Sequence, residues 1–232
     1  MTPPVPPGLP MTRRPVKEPA AGVGPDQLRV CPITDRRRVP PERWLRAIEA
    51  ALEGGIRDLQ LREKDLPASE QSALARELRR LTRRYGARLI VNDRLDIALL
   101  AGADGVHLPE QGLPAAEVKA RFPDLWVGVS THSLEGAQKA QQAGADYITF
   151  SPVFDTPSKR AYGPPQGLDK LAEVTRALSV PVIALGGITL ENLPEVLRCG
   201  VHGVALIRGL WDSPNIKETA SRYMQAFQGE PS

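Results

Sequence analysis

Short apolar runs rich in Val, Ile and Leu recur from Leu28 onward, separated by segments whose apolar positions return every three or four residues. The first pattern is that of buried strands and the second that of amphipathic helices, and together they repeat with a unit of about 25 residues. Strands are expected at 28–34, 58–61, 88–92, 105–108, 126–130, 147–150, 181–185 and 203–207, each followed by a helix. Gly54-Gly55, Gly144 and Gly200 fall where helices should stop, and Thr189 stands where the helix after the seventh strand should start. Ala-Gly-Ala-Asp occurs at both 101–104 and 143–146, marking equivalent helix-to-strand turns.

Alternating strands and helices imply a parallel sheet with right-handed crossovers, and eight such units favour closure. The expected fold class is α/β: a single (β/α)8 TIM barrel over residues 27–232. Residues 1–26 hold eight prolines and almost no large apolar side chains. Such a segment does not offset its ordering entropy, so a disordered Pro-rich N-terminal tail is expected there. In a barrel the C-terminal ends of all strands share one mouth, so residues a hundred positions apart can build one site.

Composition narrows the partners. The chain has 30 basic and 27 acidic residues, a net charge of +3 and a sequence pI near 9.0. That balance admits nucleic acid, but no arginine-rich helix or interleaved aromatic stripe stands out, so no nucleic-acid partner is expected. Cys31 and Cys199 lack CxxC or CxxH spacing, which argues against zinc and disulfides and for a reducing, cytoplasmic setting. No uncharged apolar stretch of about 18 residues and no apolar leader core is present, so neither a membrane span nor export is expected.

The candidate chemistry lies at strand ends. Gln60, Arg62 and Lys64 alternate along the second strand end, so they share one direction into the mouth. Two cations and an amide there call for an anion, against the plainer alternative of a solvated strand end. Asn92-Asp93 offers a hard oxygen ligand for Mg²⁺, or else an ordinary helix cap. Gly186-Gly187 and the Gly203–Gly209 segment occupy the loops after strands seven and eight, where barrels commonly bind phosphate through backbone N–H groups. The long loop after strand six carries Thr156, Ser158 and Lys159, as a lid or binding arm would. His107 and His132 lie on the mouth side and His202 on the opposite, structural side. His132 is placed either as a general acid or base or as a hydrogen-bonding support of the loops.

Taken in order, Ile33-Thr-Asp35, Gln60-Leu-Arg-Glu-Lys64, Asn92-Asp93, Ala103-Asp-Gly-Val-His107, Ser130, Thr156-Pro-Ser-Lys159 and Gly186-Gly187 resemble the thiamine phosphate synthase and TenI family, from about Leu28 to Phe227. The synthase branch joins a hydroxymethylpyrimidine diphosphate to a thiazole phosphate and releases pyrophosphate. The resemblance implies that Gln60, Arg62, Lys64 and Asn92 hold the pyrimidine diphosphate, that Asp93 ligates Mg²⁺, and that Ser130 and Lys159 contact the same substrate. It assigns the thiazole phosphate to Thr156, Ser158, Gly187, Ile207 and Arg208. Small phosphorylated molecules are the implied partners, along with a second copy of the chain, since barrels often pair.

The chain departs from the synthase pattern at Gly112, which stands where a second Mg²⁺-binding aspartate is usual. Glu110 is the nearest replacement. Arg208 stands where a small hydroxyl residue is usual. Leu108-Pro109 and the run Thr131 to Glu135 look more like the TenI branch, whose thiazole tautomerases use a histidine matching His132. The retained Arg62, Lys64, Asp93 and Lys159 point to the synthase. Tautomerisation, or thiazole phosphate binding without turnover, is the alternative.

Overall fold

The computed structural model describes residues 28–156 and 164–228. The tail expected over 1–26, and Ser158 and Lys159 in the loop after strand six, lie outside the described residues. The strands are β1 (Val30–Pro32), β2 (Asp58–Leu61), β3 (Arg88–Asn92), β4 (Gly105–Leu108), β5 (Trp126–Thr131), β6 (Tyr147–Phe150), β7 (Val182–Leu185) and β8 (Gly203–Leu206). Between and after them run α1 (Trp44–Glu53), α2 (Ala68–Arg84), α3 (Leu95–Ala101), α4 (Ala115–Arg121), α5 (Leu134–Gln142), α6 (Gly167–Ala177), α7 (Leu193–Leu197), α8 (Arg208–Trp211) and α9 (Ile216–Ala226).

All strand pairs are parallel, in the order β1-β8-β7-β6-β5-β4-β3-β2. The ring is closed between β1 and β2 by the single bridge Ile33 to Gln60, with the Thr34 N–H donating to the Gln60 carbonyl at 2.9 Å. The first strand is shorter than the expected 28–34 because only its middle pairs with β8. Its continuation serves as this seam.

Strand parity sorts the residues. Val30, Leu59, Leu61, Leu89, Val91, Val106, Val127, Ile148, Val182 and Val204 join the large core beneath the helices. The opposite parity faces the barrel interior, where Cys31, Ile33, Ile90, Tyr147, Ile183 and Ala205 pack together. Three inward positions are glycine for space. A Cβ on Gly128 would collide with the Tyr147 ring and His107, one on Gly105 with Trp126, and one on Gly203 with the Leu28 carbonyl. The barrel floor holds Asp58, whose Oδ1 accepts from Arg88 Nε at 2.5 Å, with the guanidinium 3.9 Å from the centre of the Trp126 ring. Both charged side chains are buried.

The repeated Ala-Gly-Ala-Asp marks a repeated device. Asp104 accepts the Leu89 N–H at 2.8 Å and pairs with Arg79 of α2 at 2.6 Å. Asp146 accepts the Val127 N–H at 2.7 Å and pairs with Lys119 of α4 at 3.0 Å. In each case one carboxylate ties a new strand to the start of the previous strand and to the helix that leads into that previous strand.

Two expectations change. α7 begins at Leu193, a turn later than Thr189 suggested. Thr189 and Asn192 instead brace a turn before it, with the Thr189 N–H donating to Asn192 Oδ1 at 2.9 Å and the Asn192 N–H to Thr189 Oγ1 at 3.4 Å. And α2 is arginine-rich after all, with Arg76, Arg79, Arg80, Arg83 and Arg84. Arg79 and Arg84 are taken up by Asp104 and Glu49, so the helix is less of a bare basic face than its composition suggests.

Candidate active site

The end of β2 bears out its alternation. Gln60 is buried inside the barrel, Arg62 is half-buried above it, and Lys64 is exposed at the rim. Between them Glu63 is buried, its Oε1 accepting the Arg36 N–H at 3.1 Å. Burial holds its carboxyl above the usual carboxylate range. Thr34 Oγ1 accepts the Arg62 N–H at 2.9 Å, and Gln71 donates to the carbonyls of Glu63 and Leu66 at 2.9 and 3.0 Å, which pins the loop. Gln71 was not anticipated, and Thr34 entered only as part of the Ile33-Thr-Asp35 run, with no role of its own. Each carries a generic signal, and only the fold brings it here.

Arg62, Glu63, Lys64, Gln71, Asn92, Asp93 and Arg94 line a cleft of about 280 Å³ between the ends of β2 and β3. Its cations are not equivalent. Arg94 pairs with Asp96 at 2.6 Å and nearby Arg36 with Asp65 at 2.8 Å. Arg62 and Lys64 make no ion pair with any described residue. Asp93 has φ 65, a left-handed conformation that a non-glycine residue takes at some cost. Its backbone N–H donates to the His107 carbonyl at 2.8 Å, and α3 starts without a side-chain cap, so the capping role weighed for Asn92-Asp93 is not used.

Glu110, the expected replacement ligand, faces elsewhere: its Oε1 accepts the His132 N–H at 3.4 Å, close to Gly136 in the first turn of α5. Among the described residues no group of three or more His, Cys, Asp or Glu is placed to hold a metal. His132 Nδ1 lies 2.7 Å from the Ser151 carbonyl, which can only accept, so Nδ1 carries the ring proton of the neutral imidazole. His132 lines a second cleft of about 430 Å³ with Phe150, Gln166, Lys170 and Glu173. The two clefts share no lining residue.

Inside the mouth, His107 is 3% exposed and meets Ser130 Oγ with Nε2 at 2.9 Å and Tyr147 Oη with Nδ1 at 3.0 Å. Burial lowers its pKa to about 4, so it is neutral. It lies in the last two residues of β4, near the end where it was expected, but parity sets it a layer below the rim.

Across the mouth, Gly186 and Gly187 take φ of 109 and 67. A Cβ on Gly187 would stand 2.7 Å from Phe154 Cβ, so the pair is needed for the segment after β6 to pass close by as well as for an exposed backbone. The Gly187 carbonyl is held by Asn192 Nδ2 at 3.0 Å. Thr156 Oγ1 is buried without a hydrogen-bond partner among the described residues. Ile207 precedes the short α8, which the Trp211 indole N–H anchors to the Ile33 carbonyl at 2.7 Å. Arg208 is exposed, with Nε 3.6 Å from Asp212, a carboxylate that Arg38 also approaches at 2.9 Å.

The fold and site define a class: a (β/α)8 barrel whose mouth sets unpaired cations, amides and a rim carboxylate opposite a glycine-bearing backbone turn and an orphaned hydroxyl. The chain belongs to the thiamine monophosphate synthase family, whose model matches residues 30–210. It is 53% identical over 189 residues to a putative thiamine-phosphate synthase of Geobacter sulfurreducens, covering 81% of this chain and 89% of that protein. It is 44% identical over 195 residues to a thiamine-phosphate synthase of Roseiflexus sp., covering 84% and 82%. A solved structure, thiamine phosphate pyrophosphorylase from Pyrococcus furiosus, superposes with a TM-score of 0.81 at 35% identity, covering 88% of this chain and 97% of that one.

Proposed function

We propose that this chain is a thiamine-phosphate-synthase-type transferase, joining hydroxymethylpyrimidine diphosphate to a thiazole phosphate to form thiamine phosphate. The C–O bond to the diphosphate breaks, a bond from the same carbon to the thiazole nitrogen forms, and pyrophosphate leaves. The observation that carries the reading is the cleft in which Arg62 and Lys64 make no ion pair with any described residue while neighbouring cations are paired. Such cations are set for an incoming diphosphate and for the charge that grows as it departs.

Gln60 and Asn92 supply amides to the same substrate, and Ser130 reaches it from β5. The thiazole phosphate is assigned to the opposite side, to the backbone at Gly187 and Ile207, the unpaired Thr156 hydroxyl and Arg208, with Ser158 and Lys159 from the neighbouring loop. The reaction needs no protein nucleophile and no acid–base pair, which suits a mouth poor in both.

The rim carboxylate of Asp93 fits Mg²⁺, an ion usually held by one or two carboxylates together with substrate phosphates. Asp93 would hold it beside the diphosphate. Glu110 would have to leave the start of α5 to join in. When bound, the ion supplies charge neutralisation for the leaving pyrophosphate.

The tautomerase alternative is not favoured. The relatives carry synthase names, and a tautomerase would leave Arg62 and Lys64 without a task. The two free thiols suit the reducing, cytoplasmic compartment we assign, and no helix among the described residues is long and apolar enough to cross a membrane.

The test is pyrophosphate release from the two substrates with Mg²⁺ and then with EDTA. Metal-dependent release together with thiamine phosphate is expected. Absence of release under both conditions overturns the assignment.

A further inference from the structure

We propose that His107 is a positioning residue for this reaction: Tyr147 holds it as the Nε2–H tautomer, it donates to Ser130 Oγ, and the Ser130 hydroxyl proton is thereby turned toward the barrel mouth to meet an acceptor atom of the substrate. The role of Ser130 as a substrate contact rests on the reading above. The tautomer does not.

Hydrogen-bond accounting selects the tautomer. Tyr147 is 1% exposed, and among the described residues its hydroxyl has one hydrogen-bonding neighbour, His107 Nδ1 at 3.0 Å. Were Nδ1 to carry the ring proton, the Tyr147 proton would be left buried without an acceptor, a costly arrangement. Tyr147 therefore donates and Nδ1 accepts. A neutral imidazole then carries its proton on Nε2.

Nε2 meets Ser130 Oγ at 2.9 Å and Thr149 Oγ1 at 3.3 Å, so the hydrogen bond to Ser130 is the shorter. With one lone pair occupied by that bond, the Ser130 hydroxyl is free to donate, and no described residue accepts from it. The groups facing the ring are the hydroxyls of Tyr147, Ser130 and Thr149, none of them charged, so nothing local favours the imidazolium. Gly128 is part of the device, because any side chain there would strike both Tyr147 and His107.

The chain has three histidines, so a ¹⁵N NMR spectrum of the full-length protein reads the arrangement directly. The expected result is His107 as Nε2–H. An Nδ1–H His107 overturns the proposal.

Kinetics supply the second arm. His107→Leu should lower kcat on the order of tenfold to a hundredfold, the scale of a misplaced contact. His107→Gln, which keeps an N–H near the Nε2 position, should recover most of that loss. In a Ser130→Ala background, His107→Leu should cost less than about threefold more, because the two residues act as one unit. A full additional loss there would mean that His107 does not act through Ser130. If the wild type shows the Nε2–H ring but no turnover, the coupling reaction falls and the hydroxyl orientation stands.

Discussion

Replacing Arg62 should separate binding from folding, because the cleft already contains its own control. Arg62 is half-buried at the end of β2 and has no ion pair with a described residue, so Arg62→Met removes a cation that contributes no attraction in the free protein. Stability should change by no more than about 0.5 kcal/mol. Binding should suffer, since a hydrogen bond to a charged group contributes about 1.5 to 3 kcal/mol, or roughly tenfold to 150-fold in kcat/KM. Arg36 is the opposite case, paired with Asp65 at 2.8 Å and lying 3.7 Å from the buried Glu63 carboxylate. Its side chain is 41% exposed, so solvent screening limits the loss from Arg36→Met to about 1 kcal/mol, roughly 2 to 4 °C in Tm for a chain of this size. Calorimetric unfolding of both variants, titration with inorganic pyrophosphate and steady-state coupling rates measure all three quantities. If Arg62→Met lowers Tm as much as Arg36→Met and leaves pyrophosphate affinity intact, the unpaired cation is structural and the anion cleft is misread.

The twin aspartates predict a paired stability series. Asp104→Ala and Asp146→Ala each abandon a strand N–H and a cation, for about 2 to 4 kcal/mol, whereas the Asn variants keep an acceptor for the N–H and should cost about 1 kcal/mol. Urea unfolding that shows Asn and Ala costing the same would refute the role given to the strand N–H. At the barrel floor, burial raises Asp58 from its ordinary 3.8 to about 6, outweighing the neighbouring Arg88. A carboxyl raised on folding contributes stability that is full below the unfolded pKa and is lost as pH rises through the folded one. The stability gap between wild type and Asp58→Asn should therefore shrink by about 3 kcal/mol at most between pH 4 and pH 6. Denaturant titrations that show the gap widening over that interval would sink this.

Much of the fold was legible because period and parity are local properties. Seven of the predicted strands fall within a residue or so of those observed, as with Arg88–Asn92 and Tyr147–Phe150. The exception is the first, whose limits depend on which neighbour it pairs with, and pairing is not written in one strand. The late start of α7 has a similar cause: Thr189 bonds to Asn192 as a cap would, but around a turn that does not continue into helix. Glu110 was legible only as a nearby carboxylate. That it faces the start of α5 depends on how the loops after β4 and β5 meet.

The same parity explains why the site divides into what the sequence shows and what it hides. Gln60, Arg62 and Lys64 announce themselves because three polar residues at alternate positions of a strand otherwise buried make little sense without a ligand. His107 gives no such signal, as a histidine among Val106, Leu108 and Gly105 reads equally as rim or interior. Register resolves it: His107 pairs with Gly128, and Ser130, two residues further along β5, stands one layer nearer the mouth. Under the proposed function the group that meets substrate is a serine, and the group proposed to set how that serine points lies beneath it, with Tyr147 behind. A mouth built to hold diphosphate gains from such a layer, because rim cations bind charge from many directions while a hydroxyl braced from below accepts only one geometry. On this reading Arg62 and Lys64 chiefly set how tightly the diphosphate is held, and the column Tyr147, His107, Ser130 sets where its reacting carbon lies.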